Sequence, residues 1–187
     1  MTFIFDLDDT LLDTKSLKMM IFDMMQKAGA TKEEVEKHYV YYIGKETYNP
    51  ELHITAIAKE NTGVNLENFI ENYNAIEYKQ FLLPESLNIL REARSMGNII
   101  LLTKGNYSFQ ARKILKSEID DFFDDIVITN NNKEKMIQDL NLNSNNVVVI
   151  NDKKTENQAM AQVLPQWKYI DAEDLVNEWP KIKSELV

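Results

Sequence analysis

The sequence predicts an α/β protein: a parallel sheet with helices on both faces, interrupted near its start by a block that is helical throughout. Two observations predict it. Short continuous apolar runs at 3–5, 98–102, 126–129, 147–150 and 167–170 read as strands buried on both faces, and the later ones alternate with helical stretches. Between the first and second runs lies 15–83, which carries three- and four-residue apolar spacing and no strand signal. The first strand belongs to the same sheet as the others, so the helical block reads as an insertion into it.

Each element has a local reason. The strand at 3–5 ends abruptly in Asp6, Asp8 and Asp9. In the insertion, Leu17, Met20, Ile21, Met24, Met25 and Ala28 form one apolar stripe on a helix that ends near Gly29. Thr31 and Glu34 have the spacing of a capping box that opens a second helix toward Tyr42. Pro50 suits the first turn of a third helix, and Asn65 the N-cap of a fourth carrying Leu66, Phe69, Ile70, Tyr73 and Ile76. These stripes are expected to pack on one another, so that excising the insertion by joining Asp13 to Leu83 would leave a folded remainder. Beyond it, Pro84 starts a helix with Leu87, Leu90 and Ala93 that Gly97 closes. Helices at 107–116, 133–140, 155–161 and 172–179 follow, with no internal repeat or low-complexity linker.

Composition bounds the function. At 187 residues, 44% hydrophobic and 27% charged, the chain has room for one core and a small accessory domain. No apolar run reaches the length of a membrane span; Lys15, Lys18 and Asp23 interrupt the Met-rich stretch. The first strand begins at Thr2 with no basic region before it, so no secretory leader is expected. Without cysteine there is no disulfide, thiol nucleophile or thiolate metal site, and a cytoplasmic location is the expectation. A net charge of −9 argues against a general nucleic-acid binder but leaves a small phosphorylated substrate open. The asparagines at 130–132 and 145–146 read as turn chemistry.

In a parallel sheet the ligand sits beyond the carboxyl ends of the strands, where the strand order reverses. Asp6 and Asp8, two apart on extended backbone, leave the same face; two crowded carboxylates separate their pKa values or recruit a hard cation. The structural alternative is a polar turn in which Asp8 or Asp9 caps a helix. After the second strand, the Thr103 hydroxyl can donate to a phosphoryl oxygen, and a bend at Gly105 can aim backbone N–H groups near Lys104 and Gly105 at an anion. Plain strand-to-helix turns share that pattern. After the fourth strand, Asp152 and Glu156 are spaced for one direct metal carboxylate and one acid behind it, unless Asp152 caps the next helix. Lys133 opens a helix from which a cation can neutralise a phosphate among aspartates; Lys135 is its rival.

Together these motifs are similar to those of the haloacid dehalogenase-like hydrolases. The run FDLDDTLLD resembles that family's first motif, and Thr103, Lys133 and Asp152 with Glu156 follow in the family's order. The resemblance implies a Rossmann-like five-stranded sheet of order 3-2-1-4-5, with residues 1–13 and 84–187 as the core and 14–83 as an all-helical cap. It implies Asp6 as nucleophile, Asp8 as general acid and base, and Thr103, Lys104, Gly105 and Lys133 as the phosphate site. Mg²⁺ would be held by the Asp6 carboxylate, the Asp8 backbone carbonyl and Asp152, with Glu156 behind. The run LLTKGN followed by Gln110 and Lys113 also looks like a subgroup of capped phosphatases. Two features depart from the pattern: Asn151-Asp152 with Glu156 stands where Gly-Asp with a later Asp is common, and the asparagine run precedes Lys133. Dehalogenase-type and phosphonatase-type relatives lack the second aspartate, so Asp8 points to C–O–P cleavage. The expected activity is therefore hydrolysis of a small phosphorylated metabolite through an aspartyl-phosphate. A phosphomutase and a non-catalytic phosphate- or partner-binding module are the alternatives. In the cap, Tyr39, Tyr41, Tyr42, Lys45 and His53 are candidates for substrate contact, with packing or plain surface as their other reading.

Overall fold

The structure, a computed structural model, describes residues 1–43, 48–140, 142 and 146–184; Lys45 lies outside them. Five strands, β1 (Thr2–Phe5), β2 (Asn98–Lys104), β3 (Asp125–Thr129), β4 (Val147–Asn151) and β5 (Lys168–Asp171), form one parallel sheet in the order β3-β2-β1-β4-β5. β1 is central because every residue in it is buried and it can be paired on both edges. Phe5 stands opposite Leu101 on one side and Ile150 on the other. The chain then adds strands outward in both directions, so the reversal of strand order falls at the end of β1.

The two-residue alternation of the strands divides the core. Phe3, Phe5, Leu101, Val148 and Ile150 face α5 (Ser86–Met96), α6 (Tyr107–Lys116) and α9 (Leu175–Ser184), where Trp179 lies 5.5 Å from Phe3 between ring centroids. Ile4, Ile100, Leu102 and Val149 face α7 (Lys133–Asp139) and α8 (Lys154–Val163) through Ile137 and Met160. Three strands run past their apolar stretches into polar ends. Thr103 and Lys104 still pair with Ile128 and Thr129, Asn151 pairs with Asp171, and Asp171 ends β5, because a ladder is a backbone bond that any side chain permits. α9 likewise continues through Pro180, beyond the expected end at Trp179, since Leu175, Trp179 and Ile182 keep one buried stripe across it.

The inserted segment holds α1 (Thr14–Lys27), α2 (Lys32–Ile43), α3 (Pro50–Glu60) and α4 (Leu66–Asn74). Its caps are those the sequence specifies. The Glu34 N–H donates to Thr31 Oγ1 at 3.2 Å and the Thr31 N–H to Glu34 Oε2 at 2.7 Å, while Asn65 accepts from the Asn68 N–H at 3.0 Å. Gly29 turns the chain at φ 108°, where a Cβ would lie 2.6 Å from the Gly63 carbonyl oxygen. No helix among the described residues is long and apolar enough to cross a membrane.

The packing corrects one expectation. The helical stripes do not form a core of their own. Leu17, Ile21, Ile54, Ile57, Phe69 and Tyr73 belong to the same continuous buried cluster as Phe3, Phe5 and Leu101, joined through Leu7, Leu11, Leu12, Tyr78 and Phe81. The two chain crossings are also hydrogen-bonded: the Asp13 N–H donates to the Phe81 carbonyl at 2.7 Å and the Leu83 N–H to that of Leu11 at 2.9 Å. Excision would bare Leu7, Leu11 and Leu12, all fully buried, at about 1.5–3 kcal/mol each. That is a large part of the roughly 5–15 kcal/mol by which a domain is stable. A chain joining Asp13 to Leu83 through a short Gly/Ser linker is therefore expected to bind a hydrophobic dye and to melt without a cooperative transition. A dye-silent, cooperatively melting remainder would show that the two parts fold separately.

Candidate active site

Asp6 is the first residue beyond β1, and its N–H still donates to the Ile150 carbonyl at 2.9 Å, which pins it to the sheet. The chain then coils around the Leu7 carbonyl, which accepts from the N–H groups of Leu11 and Leu12 at 3.0 Å each. Asp9 takes φ 53°, a left-handed conformation that aspartate tolerates better than most residues. Capping of α1 falls to Asp13, which accepts from the Ser16 N–H at 2.9 Å, while Asp9 accepts from the Thr14 N–H at 3.1 Å. Neither Asp6 nor Asp8 caps a helix.

Lys133, the first residue of α7, is buried with its Nζ 2.7 Å from Asp6 Oδ1 and 3.1 Å from Glu156 Oε2; it also donates to Asn151 Oδ1 at 2.8 Å. Three ammonium donors thus meet three acceptors. Lys135, about 200° further round the helix, is exposed. Asn151, the departure from glycine, braces this arrangement, since its Nδ2 donates to Glu156 Oε2 at 3.3 Å and to the Lys153 carbonyl at 3.2 Å. Burial pushes the Asp6 carboxyl up to about 7; Lys133 opposes the rise and the Asp8 charge adds to it. For Glu156 burial acts upward, but Lys133 and Lys153 outweigh it and hold the carboxyl below its usual range.

Asp152 does not cap α8, whose N-terminus has no side-chain cap. Its Oδ1 is buried without a hydrogen-bond partner, and burial raises its pKa against the pull of Lys153, of a hydrogen bond the carboxyl shares with Asp6, and of Lys133. The charge of Asp152 also raises that of Asp6. An orphaned carboxylate oxygen near a second carboxyl, both strained by burial, suits a hard divalent cation that prefers oxygen ligands. Glu156 is committed to Lys133, Asn151 and Lys153 and stands behind such a site. The four acids do not converge as side chains, because the Asp8 carboxylate faces elsewhere.

Asp8 Oδ1 is ion-paired with Lys113 Nζ and accepts from Thr14 Oγ1 at 2.5 Å, while Gln110 Nε2 donates to Asp8 Oδ2 at 2.8 Å. Burial would raise the Asp8 pKa, yet the Lys113 charge and these hydrogen bonds bring it below the usual carboxylate range. Gln110 Nε2 also lies 2.7 Å from Thr103 Oγ1 and 3.0 Å from the Lys104 carbonyl, so its two N–H groups are shared among three acceptors. Thr103 is fully buried and accepts there, which leaves its own proton to donate elsewhere. Lys104 reaches Asn132 Oδ1 at 3.1 Å. The expectation for Gly105 needs correction: its N–H donates to the Thr129 carbonyl at 2.9 Å, so the extended β2–β3 ladder withdraws it from any anion.

Gln110, Lys113 and Thr14 hold the second acid, and the sequence reading gave them no such role. The signal was present, since Gln110 and Lys113 lie within the apolar stripe of Phe109 and Ile114, and polar groups on a buried face require partners. Of the candidates in the insertion, His53 is fully buried with Nε2 3.0 Å from the Val35 carbonyl, burial taking its pKa down to about 4, and Tyr42 donates to the Leu52 carbonyl at 3.2 Å. Tyr41 is exposed. Among the described candidates, Tyr39 alone lines a cavity of about 400 Å³ that opens from Asp8, Lys104 and Lys113 toward the insertion.

The model of the family described as haloacid dehalogenase-like hydrolase matches residues 1–163. The chain belongs to the haloacid dehalogenase-like hydrolases. Among solved structures it is similar to one described as a haloacid dehalogenase-like hydrolase from Burkholderia xenovorans (TM-score 0.75, 22% identity, 91% of this chain and 80% of that one). It is also similar to the magnesium-bound HAD-hydrolase YfnB of Bacillus subtilis (0.59, 15%, 94% and 96%) and to a structure described as a β-phosphoglucomutase from Thermotoga maritima (0.62, 15%, 97% and 99%). At these identities the likeness establishes the haloacid dehalogenase-like fold. A search of curated proteins gives no match.

The raised Asp6 carboxyl has a signature in stability. Its folded pKa, about 7, exceeds the ordinary 3.8, so the folded state binds the proton more tightly, and the group costs stability progressively as pH rises from about 4 to about 7. In the presence of a chelator, the melting temperature of Asp6→Asn relative to that of the parent protein is expected to rise between pH 5 and pH 8. A difference that does not vary with pH would contradict the raised carboxyl.

Proposed function

We propose that this haloacid dehalogenase-like hydrolase is a Mg²⁺-dependent phosphatase that cleaves a small phosphomonoester through an aspartyl-phosphate on Asp6. The observation that carries the reading is the Asp6–Lys133 contact at the mouth of β1, with a second, separately held carboxylate two residues away. A carboxylate nucleophile needs a cation beside the group it attacks, and Lys133 is fixed there by Asn151 and Glu156.

Asp6 in its ionised form attacks phosphorus in line while the bond to the leaving oxygen breaks. Lys133 and the Thr103 hydroxyl stabilise charge on the transferring group. The Asp6 and Asp152 carboxylates and the Asp8 backbone carbonyl would hold Mg²⁺, which when bound neutralises phosphoryl charge and holds Asp6 ionised. Asp8, kept ionised by Lys113, serves as base toward the water that hydrolyses the aspartyl-phosphate. Its acid role toward the leaving alcohol needs a proton, which the Lys113 ammonium opposes by its charge but, as the donor on Asp8 Oδ1, can itself supply. Residues 14–83 serve as a cap whose α1 begins at Thr14, a hydrogen-bond partner of Asp8.

Phosphate release from a panel of monoesters, with Mg²⁺ and with chelator, tests the proposal. Release without isomer formation separates it from a phosphomutase, and stabilisation by Mg²⁺ without any turnover would identify a binding module instead. Asp6→Asn is expected to abolish turnover. Lys133→Ala should lower kcat by roughly a hundredfold or more, the scale of a lost charge-stabilising contact, and Lys135→Ala should be near neutral. The reverse ranking of the two lysines would remove Lys133 from the site.

A further inference from the structure

One face of α1 looks into the cavity beside Asp8. Thr14, Leu17, Lys18 and Ile21 all line it, at the three- and four-residue spacing of a single helix stripe. Leu17 and Ile21 are fully buried, so Lys18 is a charge set within an otherwise apolar run. It is half-buried, with its Nζ 5.1 Å from the centre of the Tyr39 ring, and among the described residues it has no hydrogen bond or ion pair. The other lysines of the cavity have polar partners. Lys113 is ion-paired with Asp8, Lys153 Nζ lies 3.4 Å from Glu156 Oε1, and Lys104 donates to Asn132 Oδ1 at 3.1 Å. Lys15, on the same helix, is exposed, stands 3.7 Å from Asp9 and lies outside the cavity. An ammonium seated on an aromatic face keeps its charge and three donors available to an anion.

The position of Lys18 relates it to one part of a ligand. Asp8 lines the cavity, whereas Asp6, Thr103 and Lys133 lie outside it. A monoester with its phosphorus at Asp6 therefore presents its leaving oxygen to Asp8 and extends the rest of the alcohol into the cavity. Thr14 Oγ1 is 2.5 Å from Asp8 Oδ1, and Lys18 follows Thr14 by one helical turn, about 6 Å along the axis. A group a few bonds beyond the leaving oxygen thus comes within reach of the Lys18 ammonium.

We infer that Lys18 is a specificity-determining residue that pairs with a second anionic group, a carboxylate or a second phosphate, on the leaving alcohol. The inference rests on the phosphatase reading for where the phosphoryl group sits, and binding reads it without turnover. The intact protein would be titrated calorimetrically in saturating Mg²⁺ with 4-phosphonobutyrate, butane-1,4-diylbisphosphonate, butylphosphonate and 3-aminopropylphosphonate. Phosphate release would be followed in parallel from butyl phosphate and from the phosphate ester of 4-hydroxybutyrate. A partly solvated ion pair gives a several-fold effect. At least one anionic-tailed ligand is expected to bind about fivefold more tightly than butylphosphonate, after a factor of two for the equivalent ends of the bisphosphonate. Whichever gains more identifies the group. The aminopropyl ligand should bind more weakly than the butyl one. Lys18→Met should bring the anionic-to-butyl ratio within about twofold of one, Lys18→Arg should preserve it, and Lys18→Glu should favour the aminopropyl ligand. Equal binding of the four ligands would overturn the inference. So would an anion preference that survives in both Lys18→Met and Lys18→Glu, which would assign it to the other cavity lysines. Charge-selective binding that Lys18→Met abolishes, with no release from either ester, would uphold the role of Lys18 while removing the phosphatase reading. Equal release from the two esters, with no charge preference in binding, would do the opposite.

Discussion

A buried ammonium is the constraint on which the site depends. Lys133 is almost wholly removed from water, and its charge is tolerable only because Asp6, Glu156 and the Asn151 carbonyl oxygen surround it. Those partners come from the ends of β1 and β4 and from the first turn of α8, while the lysine itself opens α7. Four elements must therefore meet in one register, and the parallel pairing of β1 with β4 provides it. A buried pair of this kind is a weak source of stability, since the cost of stripping water from both ions consumes most of the attraction. The raised Asp6 carboxyl is the visible residue of that cost. What the arrangement secures is a carboxylate oxygen, a cation and an orphaned Asp152 oxygen held close together before any ligand arrives.

The second acid is held by a separate set of contacts. α6 brings Lys113 and Gln110 to Asp8 across the sheet, and Gln110 ties the same carboxylate to Thr103, so the ends of β1 and β2 share one hydrogen-bond network. Thr14 adds the first residue of the insertion. Two carboxylates two residues apart are thereby driven in opposite directions, Asp6 upward by burial and Asp8 downward by the Lys113 cation and two further donors. Separation of this kind is what allows neighbouring acids to perform different tasks.

Much of this was legible along the chain. Strand order followed from the family resemblance, and helix starts at Thr31, Pro50 and Asn65 from capping chemistry that acts over three or four residues. The aspartate pair, Thr103, Lys133 and Asp152 stood out because each follows a strand or opens a helix where a parallel sheet gathers its ligands. The roles of Lys113 and Gln110 were not read, although their place on the apolar face of α6 marked them as groups in need of partners. The Gly105 N–H was misread because a bend in sequence does not reveal that the β2–β3 ladder continues through it.

By itself, then, the sequence determined the class of fold, the local helix and strand starts, and the chemical types available at each strand end, since all of these rest on short-range periodicity and backbone preference. Only the tertiary structure decided which lysine meets Asp6, which cation holds Asp8, and that the inserted helices share one core with the sheet. Those outcomes depend on side chains separated by scores of residues along the chain, on the burial that shifts their pKa values, and on the competition among neighbours for the same donors.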